Sequence, residues 1–128
     1  MSVYSMKNLK DVEDLAGTRM PGLEGRFARE YLDSRELGVS YFRYAPGVRP
    51  GVGHSHSEQE EAYVVVGGSG RIKIDAEIID LHQWDVVRVA PEAVRGFEGG
   101  PEGLELIAIG GARPEGGDGE MVVDWWTD

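Results

Sequence analysis

Gly47-Val-Arg-Pro-Gly-Val-Gly-His54-Ser-His56-Ser-Glu-Gln-Glu60-Glu61-Ala-Tyr63-Val-Val-Val-Gly67-Gly68-Ser-Gly70 is the stretch whose reading decides the fold. Two of the three histidines in the chain, His54 and His56, sit here. Alternate residues of an extended strand face the same way, so both imidazoles can be presented to one point. A carboxylate follows at Glu60 or Glu61. Two imidazoles and a carboxylate suit Zn, Fe, Mn, Ni or Cu, and such a set leaves coordination positions open. A His-x-His beside glutamates is also what a solvated polar loop looks like. The flanks weigh against that reading, because a Pro/Gly turn precedes the histidines, a β-branched run follows them, and Gly-Gly-Ser-Gly closes the run.

The chain has 128 residues, one domain's worth and enough for a single core. Its 19 glycines and 6 prolines make turns frequent and favour many short strands over long helices. Cysteine is absent, which excludes a disulfide framework, a thiolate metal site and a thiol nucleophile, and fits a cytoplasmic location. No apolar run approaches the ~18 residues of a membrane span, and the first residues lack the apolar segment of a signal peptide. A net charge of −10 repels phosphate backbones and anionic lipid, so nucleic acid and membranes are not the expected partners.

Outward from the opening stretch, the pattern predicts a short helical turn within Met6–Leu15 and a first strand over Arg26–Tyr31. Val39–Ala45 is a clearer strand, rich in aromatic and β-branched residues and ended by Pro46-Gly47. Glu61–Val66 follows the histidines, and Gly67–Gly70 reads as a hairpin turn into Arg71–Asp75. Further strands are expected over Glu77–Leu81, Trp84–Ala90, Ala93–Glu98 and Leu104–Gly110, with Gly99–Gly103 as a turn. Arg113–Glu120 reads as a Gly/Pro-rich acidic loop. Trp125 and Trp126 near the end need burial against the domain or a neighbouring subunit. About seven or eight short strands with turn signals between them read as an antiparallel sandwich or barrel.

The opening stretch resembles the first motif of the cupin superfamily: a glycine, a His-x-His pair, a glutamate, and a glycine closing the strand that follows. Glu60 with Gly67 and Glu61 with Gly68 both satisfy it. Strand parity with the histidines favours Glu60, but a bulge through Ser57–Gln59 resets parity. The run from Glu61 to Gly70 is the more similar to the family's glutamate strand, so the resemblance implies Glu61. Trp84 to Phe97 is similar in rhythm to the second motif, which supplies a fourth ligand, a histidine. Asp85, Pro91 and Phe97 match that motif, while Trp84, Ala90, Glu92 and Gly99 replace its usual glycine, proline, glycine and asparagine. Arg95 stands in the histidine's place.

The resemblance spans Val39–Gly110 and implies an all-β, double-stranded β-helix or jelly-roll barrel of the small single-domain, conserved-barrel type. Residues 1–38 would form an arm and first strand, 39–112 the barrel core, and 113–128 a C-terminal loop and tail. It also implies a homodimer and a metal on His54, His56 and Glu61. Arginine is permanently charged and has no lone pair for a metal. Three arrangements therefore follow: Arg95 beside a metal, gripping an anionic group of a substrate; Arg95 paired with Glu61, with no metal; or Arg95 turned outward. Tyr63 shares parity with Glu61 and reads either as a ligand-binding hydroxyl in the same pocket or as a core tyrosine. His82, in Asp80-Leu-His-Gln-Trp84, reads as a surface turn residue.

The expectation is a divalent-metal site on His54, His56 and Glu61, with Arg95 and Tyr63 binding a small polar or anionic molecule. If catalytic, it would be a metal-dependent dioxygenase, isomerase or similar. The alternatives are a metal-free ligand-binding or sensing module and a structural module with a side-chain-filled pocket. The sequence assigns no catalytic residue and implies no organic cofactor.

Overall fold

The structure is a computed structural model and describes residues 3–128. After a 3-10 turn at Leu9–Asp11, the described residues run through eight strands. They are β1 (Leu23–Phe27), β2 (Gly38–Tyr44), β3 (Gly53–His56), β4 (Glu61–Ile74), β5 (Glu77–Leu81), β6 (Val86–Val89), β7 (Arg95–Gly110) and β8 (Gly119–Val122). All pairings between them are antiparallel. One path of the sheet runs β1-β2-β7-β3-β8, and β4 joins it through β7 while carrying β5 and β6 on its other edge. Among the described residues no helix is long and apolar enough to cross a membrane.

Two expectations about turns are corrected. Gly67–Gly70 does not reverse the chain, and Gly99–Gly103 does not separate two strands. Both lie inside long strands, the 14-residue β4 and the 16-residue β7, which pair with each other from Glu61↔Gly110 to Ile74↔Arg95. The register shifts between Val65 and Gly67 and again between Gly68 and Gly70, so the two-stranded ribbon creases there. Glycine is needed because the backbones touch at the crease. A Cβ on Gly68, whose φ is +68°, would lie 2.0 Å from the Gly103 carbonyl oxygen, and one on Gly70 would lie 2.2 Å from that of Glu98. The true reversal comes later, at Asp75-Ala76 between β4 and β5.

Smaller shifts follow from the same pairing. The first strand is Leu23–Phe27 rather than Arg26–Tyr31, because it matches β2 residue for residue from Leu23↔Tyr44 to Phe27↔Ser40. The expected helical turn is confined to Leu9–Asp11, with the Asn8 side chain accepting from the Lys10 N–H. Gly119 and Glu120, expected in a loop, begin β8, which pairs with β3 from Gly53↔Val122 to His56↔Gly119.

The crease brings the inward residues of both halves of the ribbon onto one core. Tyr63, Val65 and Ile72 of β4 meet Phe97, Leu104, Leu106 and Ala108 of β7, with Tyr44, Leu81 and Val89 from the neighbouring strands. The rings of Tyr63 and Phe97 lie 4.9 Å apart, centroid to centroid, in an edge-to-face contact. The terminal tryptophans pack on the domain. Trp126 is 2% exposed, with the Arg49 and Arg71 guanidiniums 4.4 and 5.5 Å from its ring centre. Both arginines are pinned by Glu98, each at 2.8 Å or less.

Substitution at the crease tests this account. Gly68→Ala should cost about 2 kcal/mol or more in urea unfolding, combining left-handed strain with a backbone clash. Gly116→Ala is the control, with φ +83° and open space around its Cβ; it should lose only the strain, about 1 kcal/mol. Equal losses would show that the ribbon does not need the close approach.

Candidate metal centre

β3 is extended, so His54 and His56 project to the same side of it. Their rings stand at 89° to each other with centroids 5.1 Å apart. Both Nε2 atoms face one oxygen, Glu61 Oε1, at 3.1 Å from His54 and 3.2 Å from His56. Glu61 opens β4 and shares its alternation with Tyr63 and Val65, which point into the core. Glu60 points away and pairs with Arg88 at 2.8 Å on the surface. Simple parity fails because the chain leaves the strand between β3 and β4 and turns through Ser57–Glu60.

That turn is held by a residue the sequence reading did not single out. Asp118 Oδ2 accepts the Glu58 and Gln59 backbone N–H groups at 2.6 and 2.9 Å and the Ser57 hydroxyl at 3.3 Å. Its other oxygen, Oδ1, lies 2.8 Å from His56 Nδ1. The side chain is only 4% exposed. Burial pushes this carboxyl up, but the two N–H groups and His56 outweigh it and hold it well below the usual carboxylate range. Nothing local marks Asp118, which stands 62 residues from His56 in an acidic, glycine-rich segment.

Beneath the histidines lies Arg95, the first residue of β7 and register partner of His54. It is 0% exposed. Nη2 donates to Glu61 Oε1 at 3.0 Å and Nε donates to the Tyr63 hydroxyl at 3.1 Å. Nη1 is directed at the carbonyls of Ala93, Pro91 and Ala90, at 2.7, 3.1 and 3.4 Å. The Tyr63 hydroxyl in turn donates to Glu61 Oε1 at 2.5 Å, and Tyr63 is itself 2% exposed. Arg95 and Tyr63 thus stand beside His54, His56 and Glu61, but their polar atoms are engaged by protein groups rather than turned toward open space. Arg95 is not turned outward; its guanidinium is hydrogen-bonded to Glu61. His82 lies elsewhere, 76% exposed by side chain in the turn between β5 and β6, 3.6 Å from Asp85.

The Glu61 carboxyl is pushed up by burial, yet the His54 and Tyr63 hydrogen bonds and the charge of the two imidazoles hold it down at about 2. Burial and the adjacent Glu61 charge push the Tyr63 hydroxyl well above its ordinary value, so it remains a donor.

His54, His56 and Glu61 form a group that can hold a metal ion, their ligand atoms all lying within 4.8 Å of one another. The spacing fits a metal. Two ligand atoms each about 2.0–2.2 Å from a shared cation are themselves roughly 3–3.5 Å apart, as the Nε2–Oε1 pairs are here. Asp118 at Nδ1 is the kind of partner that metal-bound imidazoles commonly have.

No protein-family model and no curated protein matches the sequence. Among solved structures, the same architecture recurs in a cupin protein from Bacteroides fragilis at 24% identity and TM-score 0.71, covering 90% of this chain and 89% of that one. It recurs in KdgF from Halomonas sp. at 16% identity and TM-score 0.67, covering 91% and 98%. A single-site variant of oxalate decarboxylase from Bacillus subtilis matches at 20% identity and TM-score 0.76 over 95% of this chain, which spans only 33% of that longer protein. Together with the curled antiparallel sheet, these neighbours show that the chain has the fold of the cupin superfamily, a jelly-roll barrel.

Proposed function

We propose that this chain binds one divalent cation through His54 Nε2, His56 Nε2 and Glu61 Oε1, and uses the open coordination positions to hold a small polar or anionic molecule. The observation that carries the reading is the convergence of those three atoms with His56 already tied at Nδ1. Asp118 can hold the His56 hydrogen at Nδ1, which leaves Nε2, 3.2 Å from the carboxylate oxygen, as the nitrogen available to a cation. A cation between Nε2 and Oε1 takes the place of the hydrogen that links them in the metal-free protein and converts the contact into coordination. A metal bound there would supply Lewis-acid polarisation of an oxygen on the bound molecule.

The charges favour an anionic partner. Glu61, Asp118 and Arg95 together leave a single negative charge, which a divalent cation reverses. In this reading Tyr63 and Arg95 act on Glu61 from below. They fix the orientation of its carboxylate and balance its charge, and the small molecule meets the metal instead of the guanidinium. The reaction class stays open, because the fold alone does not select one.

A second reading is a metal-free binding or sensing module. The Arg95–Glu61 hydrogen bond supports it, since a buried guanidinium already neutralises the carboxylate that a metal would use.

Elemental analysis of tag-free protein, loaded separately with zinc, iron, manganese, nickel and copper, tests the first reading. About one metal per chain is expected with at least one of them, and His56→Ala should lose it. Absence of stoichiometric metal with all five rejects the first reading in favour of the second.

The acid limb of metal-free stability tests how Glu61 is held. Its folded-state value, about 2, lies below the ordinary 4.5. Its stabilisation is therefore fully present above about pH 4.5 and is lost as pH falls through about 2. Urea unfolding should give the wild type an advantage over Glu61→Gln on the order of 3 kcal/mol near neutral pH, shrinking as the pH is lowered through that window. An advantage that does not change with pH would mean that the carboxylate is not specifically held.

A further inference from the structure

We infer that Asp118 is a positioning residue for the cation site, and that the C-terminal segment exists partly to deliver it. The inference rests on the metal reading above and concerns how one of its ligands is aimed. A neutral imidazole carries one hydrogen on either ring nitrogen, and only the bare nitrogen can bind a metal. His56 meets Asp118 at Nδ1 and the Glu61 oxygen at Nε2. Glu61 and Asp118 are both acceptors, so each can hold a hydrogen on the His56 nitrogen it faces; when a cation takes the Glu61 side, the remaining hydrogen sits on Nδ1 against Asp118 and Nε2 is the free nitrogen. Among the described residues, the hydrogen bonds at the His54 ring all involve Nε2, facing Glu61 and Tyr63, and no acid meets its Nδ1. The two histidines are therefore unequal, and His56 is the one whose tautomer is set by the protein.

Asp118 is fixed from three directions. Its second oxygen caps the Ser57–Gln59 turn, so the carboxylate cannot rotate away from His56 without releasing the two backbone donors at Glu58 and Gln59. The next residue, Gly119, is the register partner of His56 in the β3–β8 ladder. Beyond β8, the Trp125 N–H bonds the Gly51 carbonyl at 2.9 Å and the Trp126 ring lies against Arg49 and Arg71. On the other side, Gly116 and Gly117 take φ of +83° and +85°, and the Gly117 N–H closes a turn on Pro114. The segment thus forms a strap over the histidine strand, tied at Asp118 and again at Trp126.

Asp118→Asn separates aiming from capping. The amide oxygen can keep the Glu58 and Gln59 bonds, which turns the amide N–H toward His56 Nδ1 and forces the hydrogen onto Nε2. Zinc is the probe. Asp118→Asn should bind it roughly 10- to 100-fold more weakly than wild type while unfolding cooperatively. A second measurement needs no variant: in zinc-loaded wild type, long-range proton–nitrogen NMR should show His56 metallated at Nε2 and protonated at Nδ1. Equal zinc affinities in the two proteins, or His56 bound through Nδ1, overturn the inference and leave the metal site standing. No uptake of zinc, iron, manganese, nickel or copper by the wild type overturns the inference and the metal reading together.

Discussion

The contact between Arg95 Nη2 and Glu61 Oε1 constrains the whole molecule, because the two residues open the two longest strands and stand at opposite ends of one ladder. Glu61 pairs with Gly110 and Arg95 with Ile74, so a flat ribbon of β4 on β7 would hold them roughly 40 Å apart. They lie 3.0 Å apart instead. Only a ribbon folded back on itself permits that distance, and the fold occurs where glycine lets the two backbones touch. The same crease sets Tyr63 edge-to-face against Phe97 and closes the core beneath the histidines. Barrel closure, core and site are thus one geometric event.

The energetics of that event are finely divided. A wholly buried guanidinium is costly unless its donors are met, and here they are met by a carboxylate, a phenol and the carbonyls of the β6–β7 connection. The price of this arrangement is that one carboxylate oxygen is claimed from every side, by Arg95, Tyr63 and both imidazoles. A metal would have to share Glu61 with Arg95. Sharing is electrostatically tolerable because Asp118 adds a compensating negative charge on the far side of His56.

Much of this was legible in the chain itself. The His-x-His pair and the β-branched run after it lie in strands, as local reasoning expected; strand density pointed to a sandwich or barrel, and the resemblance to cupins chose the barrel, Glu61 and the place of Arg95. Strand continuity was not legible. Gly67–Gly70 and Gly99–Gly103 carry the composition of turns, and composition alone does not distinguish a chain reversal from a crease between two paired strands. Nor was Asp118, because its partners become neighbours only after β8 docks on β3. The choice between Glu60 and Glu61 sits between these cases. Parity pointed to the wrong residue until the Ser57–Glu60 turn was taken into account.

The strap also bears on the order in which the molecule assembles. The β4–β5 hairpin needs only its two-residue turn, and can form early from local contacts. The site needs closures across 34 residues for Arg95 to Glu61 and 62 for Asp118 to His56. Nonlocal pairings of this kind slow folding, since loop entropy is lost before the contacts repay it. His54, His56 and Glu61 are close in sequence, but the Arg95 and Asp118 contacts that hold them are thus among the last to form, and a ligand bound there clasps the final closures of the chain.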